Sequence, residues 1–363
     1  MTTATFLIGL IALVAGAQVL VRGASKLALS FGISPLVVGL TVVAFGTSAP
    51  EMAVSVRASW GGQVDIALGN VVGSNIFNVL FILGLSALAA PLLVAPQLIR
   101  QEVPLMIGAS LLAFGLSIDG GIGRIDGALL FGLLLAFTVV LVRQSRQVGR
   151  ETQGEYAREF AAPDGQAWDR HWAAQLALIG GGLALLVVGA NWLVEAAVTF
   201  ARALGLSEMV IGLTIVSAGT SLPEVATSLV ATLRGERDIA VGNVIGSNVF
   251  NLLGVLGLSG LVAPQALPVS PAMLSFDMPV MIGVAVACLP IFFTGHVIAR
   301  WEGALFFFYY AAYMAYLLLA AQQHDQLDTY RTAMVTVVMP LTAITLAVFM
   351  VRHYRALKVT CRP

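Results

Sequence analysis

Charge is what this sequence has least of. Of 363 residues only 10% are Asp, Glu, Lys or Arg, against 58% hydrophobic, and the mean hydropathy is +0.92. A soluble domain carries about 25% charged residues, so this chain has too little polar surface to face water on all sides. Lysine is almost missing: 17 of the 19 basic residues are Arg, scattered between apolar runs, and the net charge is zero. Without a massed basic patch, nucleic acid is excluded as a partner. Two cysteines, Cys288 in an apolar run and Cys361 near the C-terminus, are too few for a disulfide framework and too far apart for a metal cluster.

What is present is apolar length. Segments able to cross ~30 Å of hydrocarbon at 1.5 Å per residue recur near 5–21, 36–59, 67–92, 103–118, 125–142, 173–201, 208–232, 240–263, 274–293, 303–321 and 333–351. Eleven spans in a lipid bilayer are expected. Several contain Pro or Gly, tolerated in a membrane only where protein or water satisfies the freed backbone. If the N-terminus is outside, 15 basic residues fall inside and four (Arg57, Arg124, Arg202, Arg331) outside. Basic loop residues are retained in the cytoplasm, so the sequence predicts an external N-terminus and a cytoplasmic C-terminus in a bacterial inner membrane. The connection 143–172 is then cytoplasmic, with five Arg offset by five acids, and reads as a solvated loop or surface helix. Ala15-Gly16-Ala17 resembles a signal-peptide cleavage site, but no basic residue precedes the apolar run.

The chain also repeats itself. Residues 39–86 align with 212–259 at a constant offset of 173, without a gap, and 29 of 48 positions are identical. GLTVVAFGTSAPEMAVS and GLTIVSAGTSLPEVATS are followed by DIALGNVVGSNIFN and DIAVGNVIGSNVFN. Beyond the cores, Glu102-Val103-Pro104 pairs with Asp277-Met278-Pro279, and Arg124-Ile125-Asp126-Gly127 with Arg300-Trp301-Glu302-Gly303. The expected organisation is a five-span repeat over 1–142, the cytoplasmic connection 143–172, a second repeat over 173–321, and a tail 322–363 with an extra span. Because five is odd, the second copy enters the membrane from the other side. The expected fold class is therefore all-α and integral to the membrane, with two inverted five-helix repeats, discontinuous helices at the midplane and one extra C-terminal helix. Inverted repeats of this kind build secondary transporters whose ion site lies where the repeats meet.

An acid inside a span costs ~2.5–3.5 kcal/mol on insertion scales, so it reads first as functional. Glu51 and Glu224 occupy equivalent mid-span positions, and no mid-span Lys or Arg is available to pair with either. Helical spacing places Thr47 and Ser48 on the face of Glu51, and Thr220 and Ser221 on that of Glu224. Pro50 and Pro223 remove a backbone donor and are expected to free carbonyls near Ala44 to Gly46 and Ser217 to Gly219, with Ala44 and Ser217 as candidate ligands. The next span of each repeat carries a stripe at four-residue intervals: Asn70, Ser74 and Asn78, then Asn243, Ser247 and Asn251. All are oxygen donors, as Ca²⁺ prefers, whereas zinc or copper would call for His or Cys. None of the four histidines (His171, His296, His324, His353) falls in a core.

The bland reading competes at several positions. Ser, Thr and Asn commonly join membrane helices by hydrogen bonds, and for Asn75 and Asn248 that role and ligand duty stand level. Asn70 and Asn243 read as ligands or as neighbours of ligands. Asp65, Asp238, Glu102 and Asp277 lie near span ends, where solvation or helix N-terminal charge suffices. Glu195 is open between a solvated position and an ion pathway.

The paired GTSAPE and GTSLPE segments, each followed by GNVVGSNIFN or GNVIGSNVFN, resemble the alpha repeats of the cation/calcium exchanger superfamily, in its prokaryotic sodium/calcium exchanger branch. The resemblance covers residues 5 to 321. It implies that Thr47, Ser48, Glu51, Ser74 and Asn78, with Thr220, Ser221, Glu224, Ser247 and Asn251, surround a cluster of cation sites. Some relatives carry Asp at the positions of Asn78 or Asn251, so only two carboxylates remain here and potassium coupling is not expected. The function expected is exchange of Ca²⁺ for Na⁺ by alternating access, with no cofactor beyond the transported ions; it is not an enzyme. The alternative is Ca²⁺/H⁺ antiport through the same glutamates, although neither repeat carries the GN-x-x-E acid of proton-coupled relatives. An intramembrane hydrolase lacks an HExxH, a GxSxG or a Ser/His pairing. A passive channel fits the inverted repeat less well than a gated carrier.

Overall fold

The computed structural model describes residues 2–31, 33–159, 171–203, 217–322 and 324–360, with side chains described except at 145–159, 217 and 352–360. Cys361, the side chain of Ser217, part of the span expected at 208–232 and part of the 143–172 connection lie outside the described residues.

Among the described residues, nine helices are long and apolar enough to cross a membrane, and the bent pair Pro35–Thr47 and Ala49–Trp60 makes a tenth span. The remaining expected span, 208–232, is represented among the described residues by the apolar helix Leu222–Leu233, which matches Ala49–Trp60 in the repeat. The helix that begins at Arg124 runs on to Glu159, so the connection expected from 143 starts as helix. The final span, Leu327–Val351, has none of its most apolar window buried, whereas Val64–Ala89 and Arg237–Val262 are 78% and 94% buried and form the centre of the molecule. Both central spans turn from α- to π-helix at an asparagine, Asn78 and Asn251, a local unwinding common at functional positions.

Four two-residue strands accompany the helices, and their pairing reveals the inversion. β1 (Leu92–Leu93) pairs with β4 (Val297–Ile298), and β2 (Gly121–Ile122) with β3 (Leu267–Pro268), both antiparallel. β1 follows the third span of its repeat, while β4 follows the fourth span of the other. Those loops share one membrane face only if the repeats enter from opposite sides. The membrane-spanning fold is thus two inverted five-helix repeats plus one C-terminal helix.

The first helices of the repeats, Thr2–Phe31 and Trp172–Ala203, pack against each other through their glycines. A Cβ added at Gly16 would lie 2.7 Å from Leu186 N, and one at the equivalent Gly189 would lie 2.6 Å from Leu13 N. Only glycine lets two backbones approach this closely, and close approach is what drives helix association in lipid.

Candidate cation-binding site

Each repeat breaks a span just before its glutamate. At Ser48 the backbone leaves helical values (φ −82°, ψ 6°), and the chain bends by 46°. Ser221 has nearly the same conformation (φ −89°, ψ 7°). Pro50 and Pro223 sit in the first turn of the new helices, where a missing N–H costs least. Glu51 and Glu224 follow in that turn, at the positive end of the helix dipole, which favours a carboxylate. Both are fully buried.

The break redirects the hydroxyls. Regular helical spacing predicts that Thr47 and Ser48 stack on Glu51; instead the bend at Ser48 turns them toward the other repeat. Ser48 Oγ donates to Glu224 Oε1 at 2.9 Å, and Ser221 Oγ donates to Glu51 Oε1 at 2.8 Å. Thr47 Oγ1 donates to Asn243 Oδ1 at 3.1 Å, and Thr220 Oγ1 to Asn70 Oδ1 at 3.3 Å. Every one of these bonds crosses between the repeats. The second oxygens, Glu51 Oε2 and Glu224 Oε2, are buried with no hydrogen-bond donor among the described residues. A buried oxygen of this kind costs several kcal/mol unless something positive meets it.

The stripes close the site. Ser221 Oγ also lies 3.2 Å from Ser74 Oγ, and Asn78 Nδ2 donates to Asn248 Oδ1 at 3.0 Å. The oxygens Asn78 Oδ1, Asn251 Oδ1 and Ser247 Oγ are buried and without a donor among the described residues. Asn70 and Asn243 behave as staples: Asn70 Nδ2 donates to Ser55 Oγ at 2.9 Å and to the Glu51 carbonyl at 3.2 Å, and Asn243 Nδ2 donates to Ser228 Oγ at 3.0 Å. Their carbonyl oxygens are held by the threonines of the opposite repeat.

Two expectations change. The Ala44 carbonyl is not freed, because it accepts from Ser48 N–H at 3.0 Å and lies 3.4 Å from Thr47 Oγ1. The helical partner lost at Pro50 is four residues back, at Gly46. Of the two explanations open for Glu102, solvation fails, since it is 2% exposed with Gln97 Nε2 donating to Oε1 at 2.9 Å, whereas it does stand at the N-terminus of the helix Val103–Ser117. Asp277, its counterpart, accepts from Tyr313 OH at 2.9 Å.

Sequence reasoning left the weight of Asn75 and Asn248 undecided, and Ser55 and Ser228 unmentioned. The constant offset that pairs Ser55 with Ser228 was the available signal. Among the described residues no three His, Cys, Asp or Glu side chains cluster, so the site consists of two carboxylates among neutral oxygens. That donor set suits a hard cation such as Ca²⁺ or Na⁺.

The family model for the sodium/calcium exchanger protein matches residues 1–143 and 174–319. The chain belongs to that family. It is similar to the inner membrane protein YrbG of Escherichia coli, 40% identical over 288 residues covering 79% of this chain and 87% of YrbG. It is also similar to the sodium/calcium exchanger MaX1 of Methanosarcina acetivorans, 34% identical over 349 residues covering 87% of this chain and 99% of MaX1. Among solved structures, the sodium-calcium exchanger NCX_Mj soaked with 2.5 mM Na⁺ and 0.1 mM Ca²⁺ superposes with a TM-score of 0.73 at 32% identity, covering 86% of this chain and 97% of that one. Membership makes this chain a multi-pass membrane antiporter of the cation/calcium exchanger type, not an enzyme.

Away from the site, a cavity of about 140 Å³ lies where the Thr2–Phe31 helix meets the turn before Arg237, lined by Arg22, Ser25, Lys26, Arg234 and Glu236. Burial pushes the Glu236 carboxyl above the usual range, against the opposing pull of the nearby Arg234 charge.

Proposed function

We propose that the protein exchanges Ca²⁺ for Na⁺ across the membrane by alternating access. The observation that carries this reading is the pair of buried glutamates, one from each inverted repeat, each offering one oxygen without a donor. Two carboxylates balance one Ca²⁺. The surrounding ligands are Thr47, Ser48, Ser74 and Asn78 with Thr220, Ser221, Ser247 and Asn251. Because the same oxygens can hold Na⁺ ions in place of Ca²⁺, occupancy by one excludes the other, and competition for one ligand set enforces exchange. The names of MaX1 and NCX_Mj support sodium and calcium as the paired ions.

The proposed organisation keeps the repeats at 1–142 and 173–321, with the 143–172 connection and the C-terminus in the cytoplasm of a bacterium. The 15-to-4 partition of basic residues supports this orientation. Tags at residue 160 and at the C-terminus should both be protected from a periplasmic probe in intact cells.

Calcium binding to the purified protein tests the ion pair. Isothermal titration at fixed pH should show Ca²⁺ affinity falling as Na⁺ rises. Affinity that ignores Na⁺ and falls only with acid would replace this reading with Ca²⁺/H⁺ antiport through the same glutamates.

A further inference from the structure

The two repeats share one hydrogen-bond frame but do not bond identically throughout it. Four pairs of bonds obey the repeat: Ser48 and Ser221 to the opposite glutamates, Thr47 and Thr220 to the opposite asparagines, Asn70 and Asn243 to Ser55 and Ser228, and Asn75 and Asn248 to the thioethers of Met281 and Met106 at 3.6 and 3.3 Å. Among the bonds that lack a counterpart, one is that of Asn70 to the Glu51 carbonyl, and two more involve Ser74 and Asn78. Asn78 Nδ2 donates to Asn248 Oδ1, but among the described residues the equivalent Asn251 amide has no partner and Asn75 Oδ1 has no donor. Ser221 meets Ser74, but Ser247 Oγ has no partner. All of these atoms are buried, and the residues that would form the missing bonds are present in both repeats.

We propose that Asn248 and Asn75 are positioning residues used in turn, one in each access state. In the arrangement seen here Asn248 holds the Asn78 amide. Its Oδ1 is thereby fixed, while Asn251 is left to follow the ion. In the oppositely facing arrangement Asn75 accepts from Asn251 and Asn78 is released. The reason is symmetry. When two nearly equivalent halves are inverted in a membrane, exchanging their local conformations turns an opening on one face into an opening on the other. A bond made by one half and unmade by the other is then a marker of which state is occupied. The Asn75 and Asn248 amide nitrogens stay tethered to methionine sulfur in both repeats, so their carbonyl oxygens keep a constant direction as the partner asparagines come and go.

This inference rests on the exchanger reading of the same site. It is tested in right-side-out and inverted membrane vesicles by measuring the half-saturating Ca²⁺ concentration on each face for Asn248→Ala and Asn75→Ala. Removing a bond that exists in one state only should change the ratio of the two half-saturation values by about 2- to 10-fold, the size of one hydrogen bond. The sense should be opposite for the two variants, and the double variant should restore the wild-type ratio. Asn248→Ser and Asn75→Ser, which keep a polar group in place but fall short of the partner amide, should show the same opposite shifts if the alanine variants do not fold. Shifts of the same sense in both variants, or loss on both faces alike, would overturn the proposal and leave the two asparagines as helix-joining groups. Wild-type vesicles that move no calcium under a sodium gradient would instead remove the exchanger reading.

Discussion

The half of the site built by the first repeat is more fully bonded than the half built by the second. Ser74 sits against Ser221 and Asn78 is held by Asn248, whereas Ser247 and both polar atoms of the Asn251 side chain are buried without partners. The sequences at these positions are identical, GSN followed three residues later by Asn, so composition does not produce the difference. It lies in the arrangement of the two repeats around identical groups. Identical groups in unequal bonding states are what a carrier with one site and two access directions requires. A site locked equally on both sides would have no reason to move.

The largest effect should come from the residues that the repeats share equally. Glu51→Gln and Glu224→Gln should each lower calcium exchange on the order of 100-fold, consistent with ~2–5 kcal/mol for losing one partner of a buried charge pair. Both variants should fold, because removing a buried charge relieves desolvation. A large difference between the two would break the equivalence of the repeats.

The serines sharpen the comparison. Ser48→Ala and Ser221→Ala each remove a hydrogen bond to the opposite glutamate, worth about 1.5–3 kcal/mol to a charged acceptor, so calcium affinity should fall roughly 10- to 100-fold. Ser221→Ala should lie toward the upper end, since Ser221 also contacts Ser74 while Ser48 has no such neighbour. Equal losses in calcium titrations would mean that the Ser74 contact carries no energy.

Helix packing offers a contrast within one helix. Gly182→Ala would place a Cβ 2.6 Å from Leu20 N, whereas Gly180 has nothing within 4 Å. Overpacking of this kind costs about 1–3 kcal/mol, so Gly182→Ala should lower the thermal midpoint in detergent by several degrees and Gly180→Ala should leave it unchanged. The smallest effect is expected at the staples. Asn70→Ala and Asn243→Ala remove neutral hydrogen bonds of about 0.5–1.5 kcal/mol each and should weaken calcium binding only a few-fold.

Much of this was legible from spacing alone. A gapless offset between two apolar blocks reveals duplication, odd span parity implies inversion, and an unpaired acid at the same place in both copies marks the site. Which serine meets which glutamate was not legible. Helical spacing assigned Ser48 to Glu51, but the bend at Ser48 passes its hydroxyl to Glu224, and the direction of a bend is set by packing between repeats. The expected range of freed carbonyls, Ala44 to Gly46, was too wide for a related reason: the proline withdraws its donor from Gly46, while Ser48 N–H still reaches Ala44. For Glu102 the span-end position left solvation and helix N-terminal charge both open; it is buried at the N-terminus of Val103–Ser117, where Gln97, five residues earlier, folds back to bond it. The inequality of Asn78 and Asn251 belongs to one conformation of the molecule and has no trace in two identical motifs.

The central claim is that sodium and calcium compete for the oxygens gathered by Glu51 and Glu224. Its most direct test is calcium flux into proteoliposomes containing the purified protein, with a sodium gradient imposed at equal pH on both sides. The account predicts calcium uptake against its own gradient when sodium is high inside and low outside, and loss of that uptake in Glu51→Gln. Uptake that ignores the sodium gradient and appears only when a pH gradient is imposed would contradict it.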